Sequence, residues 1–366
     1  MRSDTGSVVT VDGRIEPDEL GKTMTHEHLF SDLAVWMDEP GSSYERKKAN
    51  DPITLEDLWY VHRNPSSVKD NMRLDSLEQA IEEMKLFHRM GGDTLVDVSP
   101  KKDSTSGGDQ ERVRAVARET GVNIIHGTGY YIKAAHPDKI SEMSIGELRE
   151  EFVSDVNEGI GDTDVRAGII GELGVSDSLH DDEEKVLRAG AQAAIETGAP
   201  VTIHPNGKSD RRDGTYPSSR WGLEILDILE DEGLPAERVV MGHNDRALFE
   251  GTGLEYQKEL ADRGAFVEYD LWGAEEYFFH RSDARPSDVH RTEWVRELIE
   301  DGYASNLLFS QDICRKFRTA KYGGHGYFHV INNIVPMLRD FGIEKETLEQ
   351  IIVENPKRML TFEDLS

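Results

Sequence analysis

Eight short apolar runs, each followed by a segment with helical spacing, constrain the fold of this chain more than any other feature. The runs occupy residues 23–30, 93–100, 123–131, 166–173, 200–205, 239–244, 265–271 and 307–312. Segments between them, such as 74–90, repeat apolar residues three and four positions apart, which is typical of helices packed on one face. Strands that alternate with helices in this way predict a parallel sheet covered by helices.

Eight such units favour a closed (β/α)8 barrel over an open doubly wound sheet. An open sheet is expected to carry a glycine-rich phosphate loop after its first strand, and the first run ends in a histidine pair instead. We therefore expect one domain spanning residues 1–366. Residues 7–22 are predicted to form an N-terminal β-hairpin with Asp12-Gly13 as its turn. Residues 31–72 are predicted to be an insertion over the active-site face, where loops after barrel strands lie.

Composition narrows the range of partners. The formal net charge is −29, from 71 acidic and 42 basic residues, and this charge repels nucleic acid and anionic membranes. A halophilic source and an ordinary acidic cytosolic protein are both consistent with such a surface. The single cysteine, Cys314, excludes an intrachain disulfide, and no apolar run approaches the ~18 residues of a membrane span. We expect a cytoplasmic protein that acts on a small molecule.

A His-x-His pair, His26 and His28, lies in the first predicted strand. Alternate residues of a strand face the same side, so both imidazoles can face the barrel interior while Glu27 points outward to the helices. One buried histidine is more often a hydrogen-bonded core residue than a ligand. Two of them at the carboxyl end of a strand favour a metal site.

Residues with ligand-type side chains also end four later runs: Glu172, His204, His243 and Asp312. Parallel barrel strands converge at one face, so these side chains are expected to be neighbours. Each alone is as well explained by a structural hydrogen bond. Together they favour bound metal, because buried charges need a counter-charge.

Six ligands exceed the three that a catalytic zinc usually takes from a protein, but they fit two ions that share a carboxylate. Imidazole and carboxylate together suit divalent zinc, with manganese, cobalt and iron as alternatives.

The chain resembles the phosphotriesterase family of the amidohydrolase superfamily, from about Val8 to Phe362. The matching segments, in order, are THEHLF, TLVDVSP, GTGYY, RAGIIGELG, VTIHP, GHND, FSQD and NPKRML. The resemblance implies that His26, His28 and Asp312 hold the buried ion. It also implies that His204 and His243 hold the more exposed one.

The bridge between the ions departs from the best-known members of this family, which use a carbamylated lysine in the fourth strand. Here no lysine occurs between Lys139 and Lys185, and Glu172 stands near the end of that strand. The resemblance therefore implies a glutamate bridge, as in the lactonase-like branch, and makes a phosphotriesterase activity less expected.

The implied mechanism uses a hydroxide that bridges the two ions and attacks the substrate. Asp312 would accept its proton and pass it to the leaving group. Tyr130 and Tyr131 follow the third strand, and one of them resembles the family's tyrosine near the exposed ion. Packing at the barrel rim explains these tyrosines equally well.

Substrate contacts are expected from the loops after the last two strands. Relatives place leaving-group contacts where Asp270, Leu271 and Trp272 end the seventh strand. Arg315 and Lys316 follow the eighth strand and could receive an anionic substrate, although salt bridges to nearby acids are the simpler explanation.

The expected activity is hydrolysis of a lactone or carboxylic ester, for example one derived from a sugar. The alternatives are a phosphotriesterase or organophosphate hydrolase, an N-acyl amide hydrolase, and a metal-binding barrel without catalysis, which six complete ligands argue against. The amide alternative arises because the segment YDLWG resembles the seventh strand of animal members. By analogy with the family we expect a homodimer. Lys208, Arg211 and Arg212 form a further candidate anion site.

Overall fold

The computed structural model describes residues 4–99, 109–176, 178–205, 221–247, 253–278 and 283–365. Its strands, numbered along the chain, are β1 Val8–Thr10, β2 Gly13–Ile15, β3 Thr23–Glu27, β4 Ser31–Asp32, β5 Arg73–Leu74, β6 Thr94–Asp97, β7 Asn123–Thr128, β8 Ile169–Gly174, β9 Val201–His204, β10 Val239–Met241, β11 Phe266–Tyr269, β12 Tyr277–Phe278, β13 Asp283–Ala284 and β14 Leu307–Phe309.

Eight of these strands form one parallel sheet in which spatial order follows sequence order: β3, β6, β7, β8, β9, β10, β11 and β14. The two ends of the sheet meet beside the first strand. There the His26 amide donates to Ser310 Oγ at 3.0 Å, and the Asp312 amide donates to the His26 carbonyl at 3.2 Å. The sheet therefore curves into a nearly closed barrel, and the predicted (β/α)8 fold is confirmed.

The predicted N-terminal hairpin is formed by β1 and β2, which pair antiparallel. Val8 and Leu20 are fully buried and pack against interior residues of the barrel strands, among them Phe266 and Leu308. The Val11 amide donates to a carbonyl at the start of β7. The hairpin therefore closes the amino-terminal end of the barrel, opposite the end where the strands finish.

The α-helices are α1 Ser43–Lys48, α2 Leu58–Arg63, α3 Leu77–Arg89, α4 Gln110–Thr120, α5 Lys139–Glu142, α6 Ile145–Asn157, α7 Asp181–Thr197, α8 Trp221–Asp231, α9 Asn244–Ala247, α10 Leu254–Asp262, α11 Asp288–Glu300, α12 Val335–Asp340, α13 Lys345–Glu349 and α14 Asn355–Leu360. Short π-helical segments, Val330–Ile334 and Gln350–Glu354, lead directly into α12 and α14.

Local sequence sets the ends of the outer helices. Ser76 and Ser144 accept hydrogen bonds from the amides three residues later and thereby cap α3 and α6. Helices α4 and α7 end at Gly121 and Gly198, whose φ angles of 74° and 83° suit glycine.

The insertion after the first strand is anchored at both ends. Strands β4 and β5 pair antiparallel and bring residues 31 and 74 together. Between them lie α1, α2 and a 3-10 turn at Ala34–Trp36. Two tryptophans of the insertion differ sharply, because Trp36 is 8% exposed and Trp59 is 60% exposed.

Within the described part of the chain, every helix falls short of the length and apolar character that crossing a membrane would require.

Candidate metal centre

The ligand-type side chains meet at the carboxyl end of the barrel. His26, Glu172 and His204 lie within β3, β8 and β9, as predicted. His243 and Asp312 lie beyond strands that end at residues 241 and 309. Their φ angles are 55° and 47°, a region that non-glycine residues seldom adopt. These two side chains are therefore positioned by sharp turns and not by the strand pleat.

Glu172 stands at the centre of the group. Its Oε2 lies 3.3 Å from His26 Nε2 and 3.0 Å from His204 Nδ1, while its Oε1 lies 3.7 Å from His28 Nε2. Three sets of potential ligand atoms each fall within 4.8 Å of one another. Two of them share Glu172, namely His26, His28 and Glu172, and Glu172, His204 and His243; the third is His26, His243 and Asp270. The shared glutamate has the arrangement expected of a bridging carboxylate.

The outer nitrogen of three histidines is held by a neighbour. His28 Nδ1 lies 3.0 Å from Ser99 Oγ, and His243 Nδ1 lies 2.8 Å from Asp270 Oδ1. His26 Nδ1 lies 3.1 Å from Glu268 Oε2 and 3.2 Å from Asp270 Oδ2. Contacts of this kind fix the tautomer and ring orientation of metal-binding histidines, and they leave Nε2 available as a ligand atom.

His204 is oriented the other way. Its Nε2 lies 3.0 Å from the Tyr131 hydroxyl, and its Nδ1 faces Glu172 and lies 2.6 Å from His243 Nε2. The Tyr131 hydroxyl also accepts a hydrogen bond of 3.2 Å from Trp36 Nε1. A chain of contacts therefore connects the insertion to the centre of the site.

The turn that carries Asp312 is held by a buried glutamate, Glu27, in β3. This is the glutamate that was expected to point outward from the first strand of the barrel. Glu27 accepts hydrogen bonds from Ser310 Oγ, the Gln311 amide, Gln311 Nε2 and the Ile313 amide, at 2.6 to 2.9 Å. Glu27 therefore fixes both sides of the turn that presents Asp312. It lies against the segment after β14 and not against the helix layer.

Burial and neighbouring carboxylates set the ionisation of the cluster. Burial lowers the pKa of His204 and of His243 to about 4, which favours the neutral rings that bind metals. Burial acts in the same direction on His26 and His28, but neighbouring carboxylates outweigh it and raise the pKa of both rings. Burial opposes the ionisation of Glu172, but nearby histidines outweigh it and hold its pKa well below the usual range. Burial also opposes the ionisation of Asp312, and contact with His28 lowers its pKa nevertheless.

These residues fit a pair of divalent cations. His26 Nε2 is fully buried and makes no well-formed hydrogen bond within the described residues, although Glu172 lies close by. Four imidazoles and two carboxylates are a donor set that divalent transition metals prefer. The buried clusters are thus consistent with a binuclear site.

A pocket opens over this cluster. Its lining combines the metal-type residues with an apolar side and two arginines: His28, Leu33, Trp36, Tyr131, Glu172, His204, His243, Leu271, Arg285, Asp312, Cys314 and Arg315.

The structure separates the two tyrosines. Tyr131 lines the pocket, whereas the Tyr130 hydroxyl donates to Glu151 on α6 at 2.6 Å, away from the cluster. The chain leaves the strand at Thr128, so simple alternation no longer determines which tyrosine faces inward. The expected catalytic role therefore has no geometric support at Tyr130.

Among the expected substrate contacts, Leu271 and Arg315 line the pocket. Asp270 is fully buried and contacts two histidines of the cluster instead. Trp272 packs in the core against Tyr269 and Phe309. Lys316 forms an ion pair of 2.6 Å with Asp70, so a salt bridge to a nearby acid accounts for this lysine without a substrate contact.

The remaining anion-site candidates, Lys208, Arg211 and Arg212, lie outside the described residues.

Sequence reasoning missed several residues. Glu268 lies on β11 and Asp270 directly follows that strand, so the two-residue period of a strand could have placed both on the histidine side. Arg285 and Trp36 come from long irregular segments, and their sequence carries no periodic signal that would bring them to the pocket.

Comparison with known proteins gives a consistent result. The sequence model of the phosphotriesterase family matches residues 6–360. Similar curated relatives include N-acetyltaurine hydrolases from Xenopus tropicalis (39% identical over 367 residues, covering 99% of this chain and 100% of the relative) and Homo sapiens (37%, with the same coverage). An N-acetyltaurine hydrolase from Dictyostelium discoideum is 36% identical over 384 residues, and the match covers 99% of this chain and 100% of that protein.

Solved structures share the fold. A resiniferatoxin-binding protein from Rhodobacter sphaeroides superposes with a TM-score of 0.90 at 34% identity, covering 98% of this chain and 95% of that one. A phosphotriesterase homology protein from Escherichia coli, complexed with phosphate in its active site, superposes with a TM-score of 0.74 at 26% identity. The superposition covers 94% of this chain and 99% of that protein. A lactonase from Listeria monocytogenes superposes with a TM-score of 0.74 at 23% identity, and the superposition covers 98% of this chain and 99% of the lactonase. At this identity the similarity concerns the fold alone.

Proposed function

The chain belongs to the phosphotriesterase family and is a metal-dependent hydrolase of that family, and from this premise we propose that it cleaves the amide bond of a small N-acylated amine carrying an anionic group. The observation that carries the proposal is the similarity of 36% to 39% to N-acetyltaurine hydrolases along nearly the whole chain. The N-acyl amide, an alternative at the level of sequence, therefore replaces the lactone as the leading substrate.

In this proposal His26, His28 and Asp312 would hold one divalent ion, His204 and His243 would hold the other, and Glu172 would be shared between them. A bound pair of such ions supplies Lewis acidity and lowers the pKa of a coordinated water to about 7. Zinc remains the expected metal, with manganese, cobalt and iron as alternatives.

The side chains of the pocket perform the remaining tasks. The Asp312 carboxylate accepts a proton from the attacking water and returns it to the leaving nitrogen. One carbon–oxygen bond forms and the carbon–nitrogen bond breaks, which yields a carboxylate and a protonated amine. Tyr131 keeps His204 in place through its hydroxyl.

Two arginines support an anionic substrate. Arg285 and Arg315 line the pocket in a chain whose net charge is −29. A guanidinium offers paired donors that match a sulfonate or carboxylate, whereas an acidic surface alone would repel such a group. We propose that these two residues receive the anionic end of the substrate.

Activity is tested on metal-loaded protein with N-acetyltaurine, N-acetyl-β-alanine, neutral N-acetylethanolamine, a sugar lactone and a phosphotriester. We expect N-acetyltaurine to give the highest kcat/KM, roughly tenfold or more above the neutral amide, since hydrogen bonds to charged groups contribute about 1.5–3 kcal/mol. Preferred turnover of the lactone or the phosphotriester would overturn the proposal.

The arginines and metals have separate tests. Arg285→Gln and Arg315→Gln should slow N-acetyltaurine hydrolysis and spare the neutral amide, with Lys316→Gln, which lies in an ion pair elsewhere, as control. Glu172→Ala should reduce bound metal measured by elemental analysis, while Glu183→Ala, a buried glutamate on α7, should retain it. Two ions at full occupancy in the Glu172 variant would contradict the bridge.

A further inference from the structure

One side of the pocket is an apolar wall supplied mainly by the insertion. Leu33 and Trp36, together with Cys314 after the last barrel strand, line the pocket. All three belong to one buried cluster, whose other members are Met72, Tyr131, Ile132 and Ala135. The wall is therefore packed from behind and does not consist of isolated surface side chains.

The indole of Trp36 stands directly beside the candidate metal ligands. Its ring centre lies 6.3 Å from that of His204 and 6.5 Å from that of Tyr131. Its Nε1 donates to the Tyr131 hydroxyl, which in turn contacts His204. An acyl carbon attached to the reacting carbonyl would therefore meet the indole within a few bonds of the scissile amide.

Backbone contacts hold the wall in place. The Trp36 amide donates to the Leu33 carbonyl at 2.9 Å, and the Leu33 amide donates to the Met72 carbonyl at 2.8 Å. Leu33 is 7% exposed and Met72 is fully buried. A larger acyl group could enter only by displacing side chains that are already closely packed, which is costly in a protein interior.

We propose that the wall formed by Leu33, Trp36 and Cys314 receives the acyl group, and that Trp36 is the specificity-determining residue that restricts it to short chains. The proposal rests on the proposed amide hydrolase function and adds to it the part of the pocket that selects the acyl group. The two ends of the substrate differ in polarity, and so do the two parts of the pocket. An apolar acyl chain suits the wall, and the anionic amine portion suits Arg285 and Arg315.

The test uses taurine amides with acetyl, propionyl, butyryl and hexanoyl groups on metal-loaded full-length protein. One methylene more or less in an apolar pocket changes kcat/KM by roughly 10- to 200-fold, so we expect the wild-type values to fall steeply after acetyl. Trp36→Ala, and to a lesser degree Trp36→Leu, should reduce the acetyl-to-butyryl ratio by about tenfold or more. This ratio is internal to each preparation and does not depend on the folded fraction.

Two controls separate the bulk of the indole from other effects. Trp36→Phe removes the hydrogen bond to Tyr131 but keeps an aromatic ring, so it should largely preserve the acyl preference. Trp59→Ala removes an exposed tryptophan from the same insertion and should leave the preference unchanged.

Each outcome decides a separate question. Hydrolysis of no taurine amide by the wild type would overturn the proposed function itself. Active wild type with an unchanged acyl ratio in Trp36→Ala would overturn the wall assignment alone. The acetyl amides of taurine and of a longer aminosulfonate are assayed with the same variants. A changed preference between these two amines, with the acyl ratio constant, would show that the indole faces the amine portion and would also overturn the wall assignment. A Phe variant as relaxed as the Ala variant would contradict control by side-chain bulk.

Discussion

At the scale of single residues, each histidine of the cluster has one ring nitrogen held by a neighbour and one directed at the other ligand-type groups. His26 is held in this way by Glu268, His28 by Ser99 and His243 by Asp270. Burial raises the pKa of Asp270, although His26 opposes this effect. Two of these supporting residues, Glu268 and Asp270, are buried carboxylates, which are costly unless their partners are in place.

The six candidate ligands could be predicted because residues of ligand type recur where apolar runs end. The roles of Tyr130, Asp270 and Trp272 could not be predicted in the same way. Each of these side chains lies at or just beyond the last residue of a strand, where the backbone turns and the two-residue period stops. Pocket contact there depends on tertiary packing that a single sequence does not reveal.

Glu27 is predicted to position Asp312 without touching the substrate. The Glu27→Ala variant removes the buried acceptor of hydrogen bonds from Ser310, Gln311 and Ile313. This loss should reduce the free energy of unfolding by roughly 3 kcal/mol. The turn carrying Asp312 should loosen, so kcat should fall more than KM rises. Urea unfolding and steady-state kinetics measure the two effects.

Glu183 provides a matched control for Glu27. It also accepts four hydrogen bonds, from the Lys133 amide, the Ser176 amide and hydroxyl, and the His180 amide. Glu183→Ala should lose comparable stability while kcat stays closer to that of the wild type. Equal losses of kcat in both variants would point to general destabilisation and would refute a positioning role for Glu27.

His126 is predicted to make stability depend on pH. It is fully buried in β7, neither ring nitrogen has a hydrogen-bond partner among the described residues, and burial lowers its pKa although Asp97 lies nearby. The unfolded chain therefore takes up a proton below about pH 6.5 that the folded chain does not, so stability falls as pH falls. His126→Leu should show a smaller loss of unfolding free energy between pH 7.5 and pH 5 in urea titrations. An identical pH dependence in the variant would refute this role, and His88→Leu, which alters an exposed histidine, serves as the control.

At the scale of secondary-structure elements, the sequence predicts where each barrel strand lies but extends most of them too far. Five strands end at residues 27, 97, 128, 241 and 309, three residues before the predicted ends. The residues beyond these ends include His28, Tyr131, His243 and Asp312, which line the pocket after the hydrogen-bonded ladder has stopped. Functional positions at strand ends are where local preference and tertiary geometry diverge.

The two additions to the barrel differ in how far they can be predicted. The hairpin follows from alternating residues around Asp12-Gly13, and it forms. The insertion has no such period, and the position of Trp36 follows from its packing against Tyr131 and Cys314.

The hairpin is predicted to stabilise the barrel without affecting the pocket. Leu20 is fully buried among interior residues at the amino-terminal end. Leu20→Ala should lower the free energy of unfolding by about 2–5 kcal/mol through the cavity it leaves. Ile15→Ala, at a partly buried residue of β2, should cost less than Leu20→Ala, whose residue follows the 3-10 turn after the hairpin. Acyl preference and bound metal should be unchanged in both, and altered specificity in Leu20→Ala would show that the two ends of the barrel are coupled.

At the scale of the whole molecule, the fold could be predicted because eight equivalent units leave few architectures open, and closure of the sheet requires only their repetition. The substrate could not be predicted on the same basis, because one fold supports many reactions and the pocket is made of irregular segments. The net charge of −29 belongs to this scale as well, since it arises from acids distributed along the chain.

This charge is predicted to make the folded state dependent on salt. Repulsion among surface carboxylates destabilises the compact chain, and raising the ionic strength from about 0.1 M to about 1 M shortens the Debye length from ~10 Å to ~3 Å. The urea midpoint of unfolding should therefore rise with potassium chloride, by more than equal osmolality of sucrose produces. Sucrose favours compact states by exclusion and does not screen charge, so it separates the two causes. A midpoint that responds equally to both solutes would contradict charge screening and with it the halophilic interpretation of the surface.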